Sequence, residues 1–132
     1  MNPDINIESK VIENYIVKSK RGRYLNFIKK PKTRKKFTDE LAHFSSQLDN
    51  FEEIKTNEWE VINEKLKRIK STQDCYVISE NSKIDGKRMK INNALTETIG
   101  MGMGTLIVFG NADLVFYEGE GPSDRWIKEL KK

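Results

Sequence analysis

Between Glu13 and Asp39 the chain carries ten cations and no anion: Lys18, Lys20, Arg21, Arg23, Lys29, Lys30, Lys32, Arg34, Lys35 and Lys36. Six of them fall in FIKKPKTRKKF, residues 27–37, between apolar anchors. Unopposed cations at this density suit a polyanion, lysine acting as a point charge and arginine as a two-bond grip on phosphate or carboxylate. Tyr24 and Phe27 stand among them, an interleaving found on surfaces that stack bases. Lys32, Arg34, Lys35 and Lys36 fall at the start of a helix expected after Pro31. The helix dipole is positive there, so each cation costs a few tenths of a kcal/mol, which a bound phosphate would offset. The expected anion-binding set is therefore Arg21, Arg23, Tyr24, Lys29, Lys30, Lys32, Arg34, Lys35 and Lys36. The plain alternative is a solvated basic face with Tyr24 and Phe27 in the core.

Other residue patterns are weaker. GMGMG, residues 100–104, has the glycines of a nucleotide loop but the wrong order. A dinucleotide fingerprint follows a strand and opens a helix, whereas here a helix precedes and a strand follows. Gly100 is better read as the left-handed residue that closes the helix. Glu118 and Glu120, two apart at a strand end, could hold a divalent cation with Asp85 or Asp113, as in a metal-dependent hydrolase. The glycines flanking Glu120 favour a solvated turn instead. His43 and Cys75 are each the only residue of their type. A nucleophile–histidine pair needs them to meet across the fold, and both read better as structural. Ser79, Ser82 and Ser123 sit in no nucleophile elbow.

The elements that must position these residues follow from apolar spacing. Residues 8–19 read as a helix with Val11, Ile12, Tyr15 and Ile16 on one face. RYLNFI adds a helical turn or two, and residues 32–48 form a long helix with Phe37, Leu41, Phe44 and Leu48 as its stripe. LDNFEEIKT is a linker with room for a short strand. A third helix buries Trp59, Ile62, Leu66 and Ile69. After residue 73 the pattern changes to the strand CYVIS, a loop with an Asp85-Gly86 turn, the helix INNALTETIG, and strands GTLIVF and LVFYE joined by GNAD. GPSDRWIKEL closes as a helix. The fold class expected is α+β in a single domain over residues 1–132, a helix-rich N-terminal half packed on a small, mainly antiparallel three-stranded sheet.

Composition narrows the function classes. Hydrophobic residues make up 36% and charged residues 33% of the 132, which is polar but periodic enough for a packed core. No apolar run approaches the ~20 residues of a membrane span, and the first ten residues lack the features of a signal peptide. A lone cysteine supports neither a disulfide framework nor a cysteine metal cluster, and a cytoplasmic protein is expected. Charge is split: residues 1–40 carry +6 and residues 41–132 carry −2. A one-sided electrostatic surface follows.

The stretch CYVISENSKIDGKRM, continued by GTLIVFGNADLVFYEGE, resembles short bacterial proteins of unassigned function that share the CYVIS strand, an Asp-Gly turn, a Gly-Thr strand and a YEGE end. The resemblance covers roughly the last 60 residues and implies a coherent structural unit there. It brings no activity, cofactor or catalytic residue. The expectation is a non-enzymatic binding module whose basic front docks an acidic partner, nucleic acid first. An immunity- or inhibitor-type protein that binds an acidic protein surface is second, and a metal-dependent hydrolase third. Self-association is left open, no membrane partner is expected, and no cofactor motif is present.

Overall fold

Helix α1, Ile5–Tyr15, starts where the sequence supplies a cap: Asp4 Oδ1 accepts from the N–H of Asn6 at 3.1 Å and of Ile7 at 3.2 Å. Its buried face is Ile7, Glu8, Val11, Ile12 and Tyr15. Helix α2, Arg21–Phe27, and helix α3, Pro31–Asp39, follow. Pro31 occupies the first helical position, where its missing N–H has no role to lose, and Lys30 before it is extended. The computed structural model describes residues 3–55, 64, 74–121 and 124–130. The helix expected around Trp59, Ile62, Leu66 and Ile69 falls outside these residues.

The long helix expected over residues 32–48 ends at Asp39 and continues as two 3₁₀ turns, Leu41–His43 and Ser45–Gln47. The sheet takes the carbonyls that a continuous helix would use. The Tyr117 hydroxyl donates to Leu41 O at 2.6 Å and accepts from Phe44 N–H at 2.9 Å, and Glu120 N–H donates to Ala42 O at 2.9 Å. Gly104 packs directly against this turn. A Cβ there would lie 2.0 Å from the Leu41 carbonyl carbon and 2.3 Å from Ala42 N, so only glycine permits the approach.

The strands are β1 (Glu52–Glu53), β2 (Asp74–Ser79), β3 (Arg88–Lys90), β4 (Thr105–Phe109), β5 (Leu114–Glu118) and β6 (Arg125–Glu129), with helix α4 (Ile91–Thr98) between β3 and β4. Among the described residues they form one antiparallel sheet in the order β1-β6-β5-β4-β2-β3. The α+β class and the helix-rich front hold, but the sheet has six strands rather than three. The three expected strands are its centre, β2, β4 and β5. The additions carry little apolar signal: β1 is two glutamates and β3 is Arg-Met-Lys. The terminal segment expected as a helix is instead β6. Trp126, Ile127 and Leu130 fit a helical spacing, yet Arg125 and Ile127 alternate as the most buried positions and the strand pairs in register with β5.

Both faces of the sheet are covered. Tyr76, Ile78, Leu106, Val108, Val115 and Tyr117 pack against Val11, Ile12, Tyr15, Phe37, Leu41 and Phe44 of the N-terminal helices. The opposite face, Cys75, Val77, Ile107, Phe109, Leu114 and Phe116, packs with Ala94 and Leu95 of α4 and with Ile54, Ile84 and Ile127. Burial on both sides explains why the central strands read as unbroken apolar runs instead of alternating. Gly100 has the positive φ expected of it, +79°, but α4 has already ended at the extended Ile99, and the Gly100 N–H donates to Glu118 rather than back to the helix. No helix of the described residues is long and apolar enough to cross a membrane.

Candidate functional site: the basic corner of α2 and α3

The turn between α2 and α3 is held by Thr33, whose hydroxyl donates to Phe27 O at 2.8 Å. This fixes where the cations of the segment point. Lys29, Lys30 and Lys32 are exposed and have no ion-pair partner among the described residues. Lys36 is also exposed, with Nζ 5.9 Å from the Phe27 ring centroid. Pro31 has no N–H, no side chain caps α3, and the first helical bond is Arg34 N–H to Lys30 O. The donors of the first turn thus emerge among the lysines.

The remaining residues of the expected set are distributed differently. Arg23 is half exposed, pairs with Glu40 at 2.9 Å, and lies 5.3 Å from the Phe27 ring centroid. Lys35 pairs with Asp39 across one helical turn and stays exposed. Arg21 turns back to the chain, donating to Ile16 O at 2.9 Å and pairing loosely with Asp49 at 3.5 Å.

Two members of the set are interior. Tyr24 is 1% exposed, its ring lies within 5.3–6.0 Å of Phe27, Phe37 and Phe44, and its hydroxyl donates to Glu40 at 2.7 Å. It is a core residue, as the plain alternative held, and cannot stack on a base. Burial, then the bond to Glu40, raises its phenol pKa. Arg34 is also a correction. Its side chain is 8% exposed, donating to Glu8 at 2.7–3.2 Å and to Asp85 at 2.5–2.8 Å. Burial alone would lower the guanidinium pKa, but the bonds to Asp85 and Glu8 outweigh it and the net direction is up. The Tyr76 hydroxyl donates to Glu8 at 2.6 Å, and Asp85 accepts from Ser79 N–H at 3.0 Å, so the carboxylates are held on their other sides too. The cation belongs to the core because α3 presents Arg34, Phe37 and Thr38 on its buried side.

Asp85 does not join the other hydrolase residues. Asp85 is committed to Arg34, while Glu118 is 2% exposed and paired with Arg125. Glu118 is therefore not a solvated turn residue. Among the described residues, no three His, Cys, Asp or Glu side chains are grouped to hold a metal ion. His43 is largely exposed and pairs with Glu120 at 2.8 Å, whereas Cys75 is 2% exposed with its Sγ donating to Met89 O. Burial pushes the Cys75 thiol up to about 12, so it is no ready nucleophile.

Spacing alone does not disclose the carboxylates around Arg34 or the Arg125 partner of Glu118. The available signal is Glu8 itself, which stands at i with Val11, Ile12 and Tyr15 at i+3, i+4 and i+7. A carboxylate on an apolar helix stripe calls for a buried partner, a cation or a set of hydrogen-bond donors. No protein-family model, no curated protein and no solved structure matches the chain.

Proposed function

We propose that the α2–α3 corner docks an acidic macromolecule, with nucleic acid favoured over an acidic protein surface. The supporting observation is that Lys29, Lys30 and Lys32 remain exposed and unpaired among the described residues, beside the uncapped start of α3. The other cations of the expected set have closer roles: Arg34 inside, Arg21 on Ile16 O and Asp49, Arg23 on Glu40, Lys35 on Asp39, Lys36 over Phe27. Lysines act as point charges on phosphate without reading bases. With Tyr24 buried, the corner offers backbone contact rather than base stacking. The reading is accordingly one of sequence-independent attachment, driven by release of counterions.

The test is a salt titration of binding to duplex DNA, single-stranded RNA and heparin, comparing wild type with Lys29→Gln/Lys30→Gln/Lys32→Gln. The triple variant is expected to flatten the log–log salt slope by about two to three units, given ~0.7–0.9 per contact. If wild type binds none of the three polyanions, or the variant binds with an unchanged slope, the nucleic-acid reading is wrong.

A further inference from the structure

One row of the sheet is polar and buried across four neighbouring strands. Ser79 on β2 pairs with Thr105 on β4, Thr105 with Glu118 on β5, and Glu118 with Arg125 on β6. Directly paired residues share a face, so the row continues the face that carries Val77, Ile107, Phe116 and Ile127. No member is more than 4% exposed. The two hydroxyls bond each other at 2.8 Å. Glu118 accepts from Arg125 Nε at 2.5 Å, from Arg125 Nη2 at 3.2 Å, and from Gly100 N–H at 2.7 Å. Apolar side chains of similar volume are often as stable as a buried ion pair, or more so. Stability is therefore a weak reason for this pair to be here.

The pair is not sealed in. A cavity of about 410 Å³ lies over it, a size within the rough 300–1,000 Å³ range of small-molecule sites. It is open to solvent and lined by Glu118 and Arg125 together with Ile99, Gly100, Gly102, Glu120 and Gly121. Gly100 and Gly102 have φ of +79° and +70°, where side chains are strained, so this part of the lining is backbone by necessity. Glu120 is 54% exposed and pairs with His43.

Charge decides what fits. Glu118 and Arg125 offset each other, which leaves Glu120 as the uncompensated charge whenever His43 is neutral. An anion would meet the Glu120 carboxylate and find Arg125 already bound to Glu118; a cation would meet Glu120 unopposed. We propose that this cavity binds a small organic cation, a free amine or guanidinium compound, with its charged head toward Glu118 and Glu120 and its apolar body along Ile99 and the glycine backbone. At about 410 Å³ the cavity has room for a ring or a short chain beside the head. This site is separate from the basic corner and takes a ligand of opposite charge, so the two readings stand or fall independently.

Amide chemical shifts of the full chain, titrated with benzylamine and with agmatine against a benzoate control, test it. The amines are expected to give saturable shifts at Gly100, Gly102 and Gly121, and benzoate none. Glu118→Gln leaves Arg125 buried without its counter-charge and can fail to fold, so Glu120→Lys, at an exposed position, carries the mutational arm. It is expected to keep the wild-type melting temperature and weaken amine binding by about tenfold or more. No saturable shift from either amine up to about 10 mM, tenfold above a Kd near 1 mM, overturns the proposal. Equal shifts from benzoate, or unchanged amine affinity in Glu120→Lys, do so as well.

Discussion

Replacing Arg34 with Gln keeps a polar side chain in place and removes the charge that Glu8 and Asp85 share. The wild-type guanidinium donates five hydrogen bonds, three to Glu8 and two to Asp85, at 2.5–3.2 Å. Without it, Glu8 stays 1% exposed with the Tyr76 hydroxyl as its remaining side-chain donor, and Asp85 keeps the Ser79 amide. Leaving one partner of a buried pair uncompensated costs about 3–5 kcal/mol. For a chain of this length each kcal/mol moves the melting temperature by about 3–4 °C, so a drop of about 10–18 °C is expected by calorimetry at neutral pH. Lys30→Gln, an exposed control, is expected to shift it by no more than ~2 °C. Glu8→Gln combined with Arg34→Gln removes both charges of the more buried pair and leaves Asp85 alone, and recovery of part of the loss gives a coupling energy of about 1–3 kcal/mol in the double-mutant cycle. A melting point for Arg34→Gln within about 3 °C of wild type, together with weakened polyanion binding, would falsify the buried assignment and return Arg34 to the docking face.

Two further outcomes follow from the packing and the titrating groups. Gly104→Ala pushes a methyl into the Leu41–Ala42 backbone and is expected to cost about 3 kcal/mol, the upper end for overpacking, since backbone cannot swing aside; denaturant unfolding within ~0.5 kcal/mol of wild type contradicts the contact. All four tyrosines, Tyr15, Tyr24, Tyr76 and Tyr117, are at most 2% exposed, and burial raises each phenol above its ordinary value of 10.0. A folded-state pKa above the unfolded one means stability that is complete below pH 10 and lost as pH rises, at about 1.4 kcal/mol per pH unit for each phenol. Tyrosinate absorbance at 295 nm is therefore expected to appear together with unfolding; its growth near pH 10 in protein with native circular dichroism would show the rings accessible.

The sequence made some elements legible and concealed others, for identifiable reasons. Strands β2, β4 and β5 announce themselves because both sheet faces are buried and nearly every position is apolar. Strands β1 and β3 sit at the sheet edges, where pairing needs only backbone, and their charged side chains give no pattern to read. In β6 the pair Trp126–Ile127 mimics a helical face because each packs on a different side of the sheet. The basic segment was legible as a cluster of charge but not in its division: Lys29, Lys30 and Lys32 face solvent, while Arg34 is drawn inward by carboxylates 26 and 51 residues away. Tyr24 shows the same limit. Its neighbours in sequence are cations, its neighbours in space are Phe37 and Phe44.

The knot around Arg34 also constrains the order in which the chain can fold. Its members arrive from α1, α3, β2 and the turn before β3, with 68 residues between Glu8 and its hydroxyl donor Tyr76. Helices α1 and α3 can form early from local contacts, but docking them desolvates Arg34 before Asp85 is in place unless the β2–β3 turn has already closed. The barrier to desolvating a half-paired charge thus falls on the step that brings the helical front to β2 and the turn before β3, a closure over dozens of residues. Docking of the helical front is thereby coupled to closure of the β2–β3 turn, a non-local step.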